Sequence, residues 1–248
     1  MDLDRFSVPT PTRAPTGTTN AYRVGDLLID PATRTDALDA AAESASHVAV
    51  THTHPDHVGA IAEYADSRTV WVLSGHEARF EEATGVAPDA TFSAGDRLAG
   101  LTVLETPGHA PDHVAFVIDG AIVCGDLAMA EGSTFVGGDG ADMTRYLDSL
   151  RRLRDRDPRT LYPGHGEVID APARRIDWLI EHRLERERRV LRAIEAGNHG
   201  IETIREAAYE KDLAGVEDLA TLTVEAHLEK LTAEGNIEWD GERARTRP

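Results

Sequence analysis

The sequence predicts an α/β fold: a layered domain of alternating strands and helices, then a smaller helical segment ending in a β-hairpin. Three observations predict it. Short apolar β runs alternate with helical stretches over the first two thirds of the 248 residues, one long amphipathic helix opens the last third, and histidines and aspartates cluster in Gly- or Pro-marked loops just after the β runs. Residues 1–19, rich in Pro and Thr, read as an irregular lead-in. Residues 21–24 and 27–30, around Gly25-Asp26, read as two short strands joined by a tight turn. Residues 35–46 have helical composition, 47–51 (HVAVT) form a β run, 59–66 are helical and 69–73 are β again. Residues 97–105 read as one strand, followed by strands at 114–118 and 121–124 that turn at Asp119-Gly120.

From Pro172 onward the pattern changes. Residues 174–196 form one helical stretch with Ile176, Leu179, Ile180, Leu184 and Leu191 at helical spacing, and Gly197-Asn198 ends it as a C-cap should. Residues 201–209 and 219–233 read as two more helices, and 236–246 (NIEWDGERART) as a hairpin turning at Asp240-Gly241. Three helices and a hairpin suggest a small winged-helix-like module, so the expected division is a domain at 1–172 and a C-terminal one at 173–248.

The chain carries 26 basic and 44 acidic residues, a net charge of −18, and its only lysines are Lys211 and Lys230. The acids are dispersed, which excludes an acidic tail on a neutral body. Such a surface keeps a protein soluble and repels polyanions; with lysine so scarce, it resembles the composition of salt-accumulating, halophilic cells. A single cysteine, Cys124, excludes intramolecular disulfides and Cys-rich zinc modules, and its apolar run makes it an expected core residue. No run of 18 apolar residues occurs and the first 20 residues lack an apolar signal-peptide segment, so the expectation is a cytoplasmic protein with no membrane partner.

The informative segment is Thr51-His52-Thr53-His54-Pro55-Asp56-His57, which leaves the predicted strand at 47–51. Imidazole and carboxylate are the ligands expected for zinc and other borderline divalent metals. Three further candidates sit in Gly-marked loops: His109 after Pro107-Gly108, Asp126 after Gly125, and His165 in Pro163-Gly164-His165-Gly166. Glycine beside each one lets the backbone approach a compact site. The other six histidines, His47, His76, His113, His182, His199 and His227, read as ordinary surface or packing residues.

His52-Thr53-His54-Pro55-Asp56-His57, Gly108-His109, Gly125-Asp126 and Gly164-His165 together resemble the signature of the metallo-β-lactamase superfamily, in family order and over roughly residues 16–170. The resemblance implies a four-layer αββα sandwich with the site at one edge of two sheets. It also implies that His52, His54 and His109 bind a first metal and Asp56, His57 and His165 a second, with Asp126 bridging. The implied cofactor is two zinc ions, with iron or manganese as alternatives, and hydroxide as nucleophile. Asp56 would orient the water or pass its proton. Asp30 reads equally well as an acceptor for a ligand histidine's second N–H or as a plain turn residue before Pro31. His113 reads as a packing or supporting residue.

Within the superfamily, flavodiiron proteins carry glutamate where this chain has His54, β-CASP nucleases need a longer interval between Asp126 and His165, and secreted zinc β-lactamases use a different third motif. Glyoxalase II shares the motif pattern, but its basic and aromatic C-terminal glutathione contacts have no counterpart here; the group that includes β-lactamase-like protein 2 is similar further, since the segment 161–166 (LYPGHG) leads into a helix with His182-Arg183, then a winged-helix-like tail. That implies a hydrolase of a small ester, thioester or phosphodiester. The alternatives are a persulfide dioxygenase with one iron, a single-stranded RNA endonuclease, and a regulator with a vestigial hydrolase domain. Residues 1–170 hold 27 acidic and 13 basic residues, which disfavours RNA as partner. The 217–234 stretch, with five acids and one lysine, argues against DNA reading and fits packing or a homodimer contact.

Overall fold

A computed structural model describes residues 2–138, 140–210 and 213–247. Along the chain run β1 (Leu3–Pro9), β2 (Thr18–Val24), β3 (Leu27–Ile29), α1 (Asp36–Ala42), β4 (His47–Ala49), α2 (Pro55–Val58), α3 (Ile61–Ala65), β5 (Thr69–Leu73), α4 (Glu77–Thr84) and β6 (Ala90–Phe92). Then come β7 (Arg97–Leu98), β8 (Leu101–Glu105), β9 (Val114–Ile118), β10 (Ala121–Gly125), α5 (Met143–Asp155), β11 (Thr160–Pro163), α6 (Pro172–Glu195), α7 (Ile201–Ala208), α8 (Glu217–Ala233), β12 (Ile237–Trp239) and β13 (Ala244–Thr246).

The first six strands form one sheet in sequence order, antiparallel from β1 to β3 and parallel from β3 to β6. A second sheet has the order β11-β10-β9-β8-β7. Alternation along the strands sends one set of side chains between the sheets: Tyr22, Leu27, Ile29, Ala49 and Phe92 of the first meet Leu101, Val103, Val114, Phe116 and Val123 of the second. The opposite face of the first sheet, with Leu28, Val48 and Val70, is covered by Leu38 of α1, Ile61 and Tyr64 of α3 and Phe80 of α4. The outer face of the second sheet, with Ala115, Ile122, Cys124 and Leu161, is covered by Met143, Tyr146, Leu147, Leu150 and Leu153 of α5 and Ile176 and Leu179 of α6. The four layers are therefore helix, sheet, sheet, helix.

The last third is three helices and a hairpin. α6 is shared: its first half belongs to the outer layer, while Val190 and Ile194 pack with Ile204, Val224, Leu228, Ile237 and Ala244 in a separate small core. The hairpin turns where the sequence places it, with Gly241 at φ 95° and Asp240 Oδ1 accepting from the Glu242 and Arg243 N–H groups. No helix among the described residues is long and apolar enough to cross a membrane.

Two sequence expectations are corrected. The lead-in is not irregular throughout, because residues 3–9 form edge strand β1, paired with β2 from Leu3↔Val24 to Pro9↔Thr18. Phe6 and Val8 pack on its helix-covered face and Leu3 alone on the side between the sheets, and Pro9 lies at its end, where a missing N–H is tolerated. The 97–105 strand is a hairpin, broken at Ala99-Gly100 with φ of 50° and 87°. Helices α4 and α5 and strands β6 and β11 have no counterpart in the sequence reading.

Candidate metal centre

Strands β3, β4, β8, β10 and β11 all deliver their carboxyl ends to one rim of the sandwich, and every candidate residue lies just past one of them: Asp30 after β3, the His52–His57 segment after β4, His109 after β8, Asp126 after β10 and His165 after β11. Pro55 opens the one-turn helix α2, its missing N–H costing nothing at N1, and this turn carries Asp56 and His57 back under His52. The two sheets are tied at the rim by Val114 N–H donating to Thr51 O (2.7 Å) and Asn20 N–H to Gly164 O (2.7 Å).

The structure brings together all seven residues singled out from the sequence. Three sets hold ligand atoms within 4.8 Å of one another: His52, His54 and His109; His52, His57 and Asp126; and Asp56, His57 and His165. Asp126 lies between the first and the last. Its Oδ2 is 3.6 Å from His109 Nε2 and 3.4 Å from His165 Nε2, and its Oδ1 is 3.5 Å from His57 Nε2.

Hydrogen bonds behind the rings fix which nitrogen faces inward. His57 Nδ1–H donates to Asp30 Oδ2 (3.0 Å), His109 Nδ1–H to Phe135 O (2.7 Å) and His165 Nδ1–H to Thr18 O (2.8 Å). Thr51 Oγ1 donates to Asp30 Oδ2 (2.7 Å), so it accepts from His52 Nδ1–H (3.1 Å). Four imidazoles thus turn Nε2 inward, while His54 presents Nδ1, 3.0 Å from His52 Nε2 and 2.9 Å from His109 Nε2. One proton on His54 cannot serve both neighbours. His57 Nε2 and Asp126 Oδ1 are buried with no hydrogen-bond partner. Ring nitrogens converging on a buried carboxylate, with buried polar atoms left unpartnered, are what a divalent cation satisfies on displacing the ring protons, so the residues fit a metal site.

Charge is divided unevenly. Burial, reinforced by neighbouring imidazoles, keeps His52 neutral, and burial brings His54 down to about 4. On the other side, burial opposes charge on His165, but Asp126 and Asp56 overrule it and raise the ring to about 10. Burial likewise works against the Asp126 carboxylate, and His57 and His165 nonetheless hold it well below the usual range.

Asp30 does more than turn the chain. It adopts φ 52°, is fully buried, and accepts from Thr51 N–H (2.6 Å) as well as from Thr51 Oγ1 and His57. His113 is a support: its Nε2 accepts from Asp126 N–H (3.1 Å), which leaves Nδ1–H to donate to Thr106 Oγ1 (2.8 Å). Gly125 (φ 48°) is required there, because a Cβ would lie 2.7 Å from Thr51 Oγ1 and 2.8 Å from His113 Nε2. Cys124 is buried in the outer core.

Other supports were not legible in the sequence. Asn20 Nδ2 donates to Pro163 O (3.0 Å) and Gly166 O (2.8 Å), and Tyr22 Oη to Pro163 O (2.6 Å), clamping the His165 loop. Arg79 Nε donates to Thr53 Oγ1 (2.9 Å) and pairs with buried Asp112 (3.3 Å), joining the His52–His54 loop to the His109 loop. None of these belongs to a recognisable spacing; Phe135 and Thr18 act through backbone carbonyls, which leave no trace in residue type.

Residues 14–165 match the Metallo-beta-lactamase superfamily. The chain belongs to that superfamily. It is a metal-dependent hydrolase of the superfamily, with candidate His and Asp ligand groups for divalent metal. Among curated relatives, it is 27% identical over 222 residues to the Drosophila melanogaster beta-lactamase-like protein 2 homolog, covering 82% of this chain and 73% of that protein. It is 32% identical over 159 residues to the atrochrysone carboxyl ACP thioesterase of Aspergillus fumigatus, covering 60% of this chain and 47% of the fungal one, so the chain spans about half of that relative. A solved metallo-beta-lactamase family protein of Thermus thermophilus shares the fold over 99% of this chain and 98% of its own, with TM-score 0.79 at 24% identity.

Proposed function

We propose that the protein is a dinuclear hydrolase of small esters or thioesters, with His52, His54 and His109 holding one divalent cation, Asp56, His57 and His165 a second, and Asp126 facing both. The observation that carries this reading is the inward convergence of five imidazoles around one partly unpartnered buried carboxylate, in two triads that share a rim. Two zinc ions, when bound, would supply Lewis acidity toward the scissile carbonyl and would acidify a water between them. The chain's own residues do the rest. Asp30, Thr18 O and Phe135 O hold the ligand rings in one tautomer, and Asp126 offsets charge at both halves of the site. Asp56, half-buried where Asp126 is buried and 3.4 Å from His165 Nε2, is the carboxylate placed to accept and pass on a proton.

Small neutral or thioester substrates fit the charge better than RNA, because the hydrolase region is strongly acidic. The arginines of α6 do not reverse that: Arg188, Arg189 and Arg192 all pair with Glu185. The fungal relative is a thioesterase by name, which points the same way. We place the start of the C-terminal unit at the beginning of α6, at 172/173, with the first half of that helix packing back on the sandwich, the protein in the cytoplasm, and its acidic surface as an adaptation to salt.

The test is metal analysis of natively purified full-length protein, followed by ester, thioester and single-stranded RNA assays at high salt. Two zinc ions per chain with ester or thioester turnover is the expected result. One iron per chain with oxygen uptake on a persulfide would replace this reading with a dioxygenase, and RNA cleavage without esterase activity with a nuclease.

A further inference from the structure

We propose that Arg183, on α6 and outside the matched superfamily region, is a positioning residue of the metal centre that acts through the backbone of the 127–138 loop. The inference rests on His109 as a metal ligand. That loop leaves Asp126 and leads toward α5, with no helix or strand of its own among the described residues. Its carbonyls are held by side chains instead: Leu127 O accepts from Tyr146 Oη (3.0 Å), Met129 O from Arg175 Nε (2.6 Å), Gly132 O from the same guanidinium, and Thr134 O from Arg183. The next carbonyl, Phe135 O, is the one that accepts from His109 Nδ1–H at 2.7 Å. Adjacent carbonyls therefore link α6 on one side to a candidate ligand on the other.

The C-terminal segment is built to hold this arrangement rigid. Arg183 is 4% exposed and its guanidinium lies over the Tyr146 ring, 5.8 Å from the centroid. One turn further along α6, Glu187 accepts from Lys230 Nζ (2.8 Å) and faces buried His227 (3.4 Å), locking α6 to α8. The loop is pressed onto α8: a Cβ on Gly137 would lie 2.7 Å from the Leu222 backbone. Val136, between Phe135 and Gly137, is fully buried in the outer core. With Thr134 O released, it would be a buried acceptor without a partner, and the 134–135 backbone would rearrange to satisfy it. Phe135 O would then no longer fix the His109 tautomer, and the ring could turn an N–H toward the site instead of a lone pair.

The test uses full-length Arg183→Met and Arg183→Lys, with Val190→Ala as a variant that loosens the small C-terminal core without touching the loop. Affinity for zinc is measured by chelator competition, and the His109 tautomer by 1H–15N correlation of the zinc-loaded protein. Arg183→Met is expected to weaken one of the two zinc ions by about 10- to 100-fold and to shift or abolish the His109 Nδ1–H signal. Arg183→Lys should recover part of both, and Val190→Ala should keep wild-type values. Should Arg183→Met not fold, Arg183→Lys carries the test, with a several-fold loss expected. Wild-type zinc affinity and an unchanged His109 signal in the folded Arg183 variants would overturn the inference while leaving the dinuclear reading intact. Wild-type protein that takes up no divalent ion would overturn that reading, and this inference with it.

Discussion

Replacing Asp30 with Asn isolates charge from shape at the base of the centre. Asn is isosteric and tolerates the left-handed φ of 52°, so the backbone is not strained. The buried carboxylate accepts three hydrogen bonds, from Thr51 N–H, Thr51 Oγ1 and His57 Nδ1. In Asn, Oδ1 keeps the Thr51 N–H, but Nδ2 then faces the Thr51 hydroxyl and His57 Nδ1–H, donor against donor. Hydrogen bonds to a charged group contribute roughly 1.5–3 kcal/mol each, and the hydroxyl recovers part of its loss by rotating. The expected destabilisation of metal-free protein is therefore about 3 kcal/mol. Freed from its acceptor, His57 can turn its proton toward Nε2, which removes the lone pair offered to metal, and affinity at that half of the site should fall about 10- to 100-fold. Denaturant unfolding of the metal-free variant and chelator competition on the loaded one measure the two effects. Wild-type metal affinity in Asp30→Asn would refute the argument that this carboxylate orients His57, whatever happened to stability.

Asp126→Ala should leave the fold intact but lower occupancy of the His57–His165 half and remove most turnover, which metal analysis and a steady-state assay check together. Glu187→Gln should destabilise by about 1–3 kcal/mol at neutral pH. Burial opposes the charge of Glu187, but His227 and Lys230 overrule it and lower its pKa, so its contribution is present above the unfolded carboxylate value and lost as pH falls through the folded one; unfolding curves of variant and wild type should converge in acid. Raising monovalent salt from tens of millimolar to molar should raise the Tm of both metal-free and metal-loaded protein, more for the metal-free form, because screening contracts from tens of ångströms to about 3 Å. A Tm indifferent to salt in calorimetry would mean that the −18 charge is no salt adaptation.

What the sequence made legible was the chemistry-bearing layer, and the reason is physical. Ligands must be particular residue types, and a strand end followed by a short loop fixes their spacing, so His52, His54, Asp56 and His57 announce themselves within six residues. Asp30 was only half legible, because a turn aspartate before proline and a buried acceptor for His57 share the same sequence. Strand β1 was hidden by polar Asp4, Arg5 and Ser7 on both of its faces and by the prolines at and beyond its end, and α5 by polar residues between its apolar ones, although its buried Tyr146, Leu147, Leu150 and Leu153 form a regular face in the fold. The supports were hidden for a deeper reason. Gly164 is constrained not by its own turn but because a Cβ there would meet Asp126 Oδ1 at 2.3 Å and His57 Cε1 at 2.7 Å, contacts between segments some forty and one hundred residues apart. Thr134 and Phe135 act through carbonyls that every residue possesses. A motif therefore locates the metal centre, while what holds each ring in its ligating tautomer is written in tertiary contacts that extend to α6, beyond the matched region.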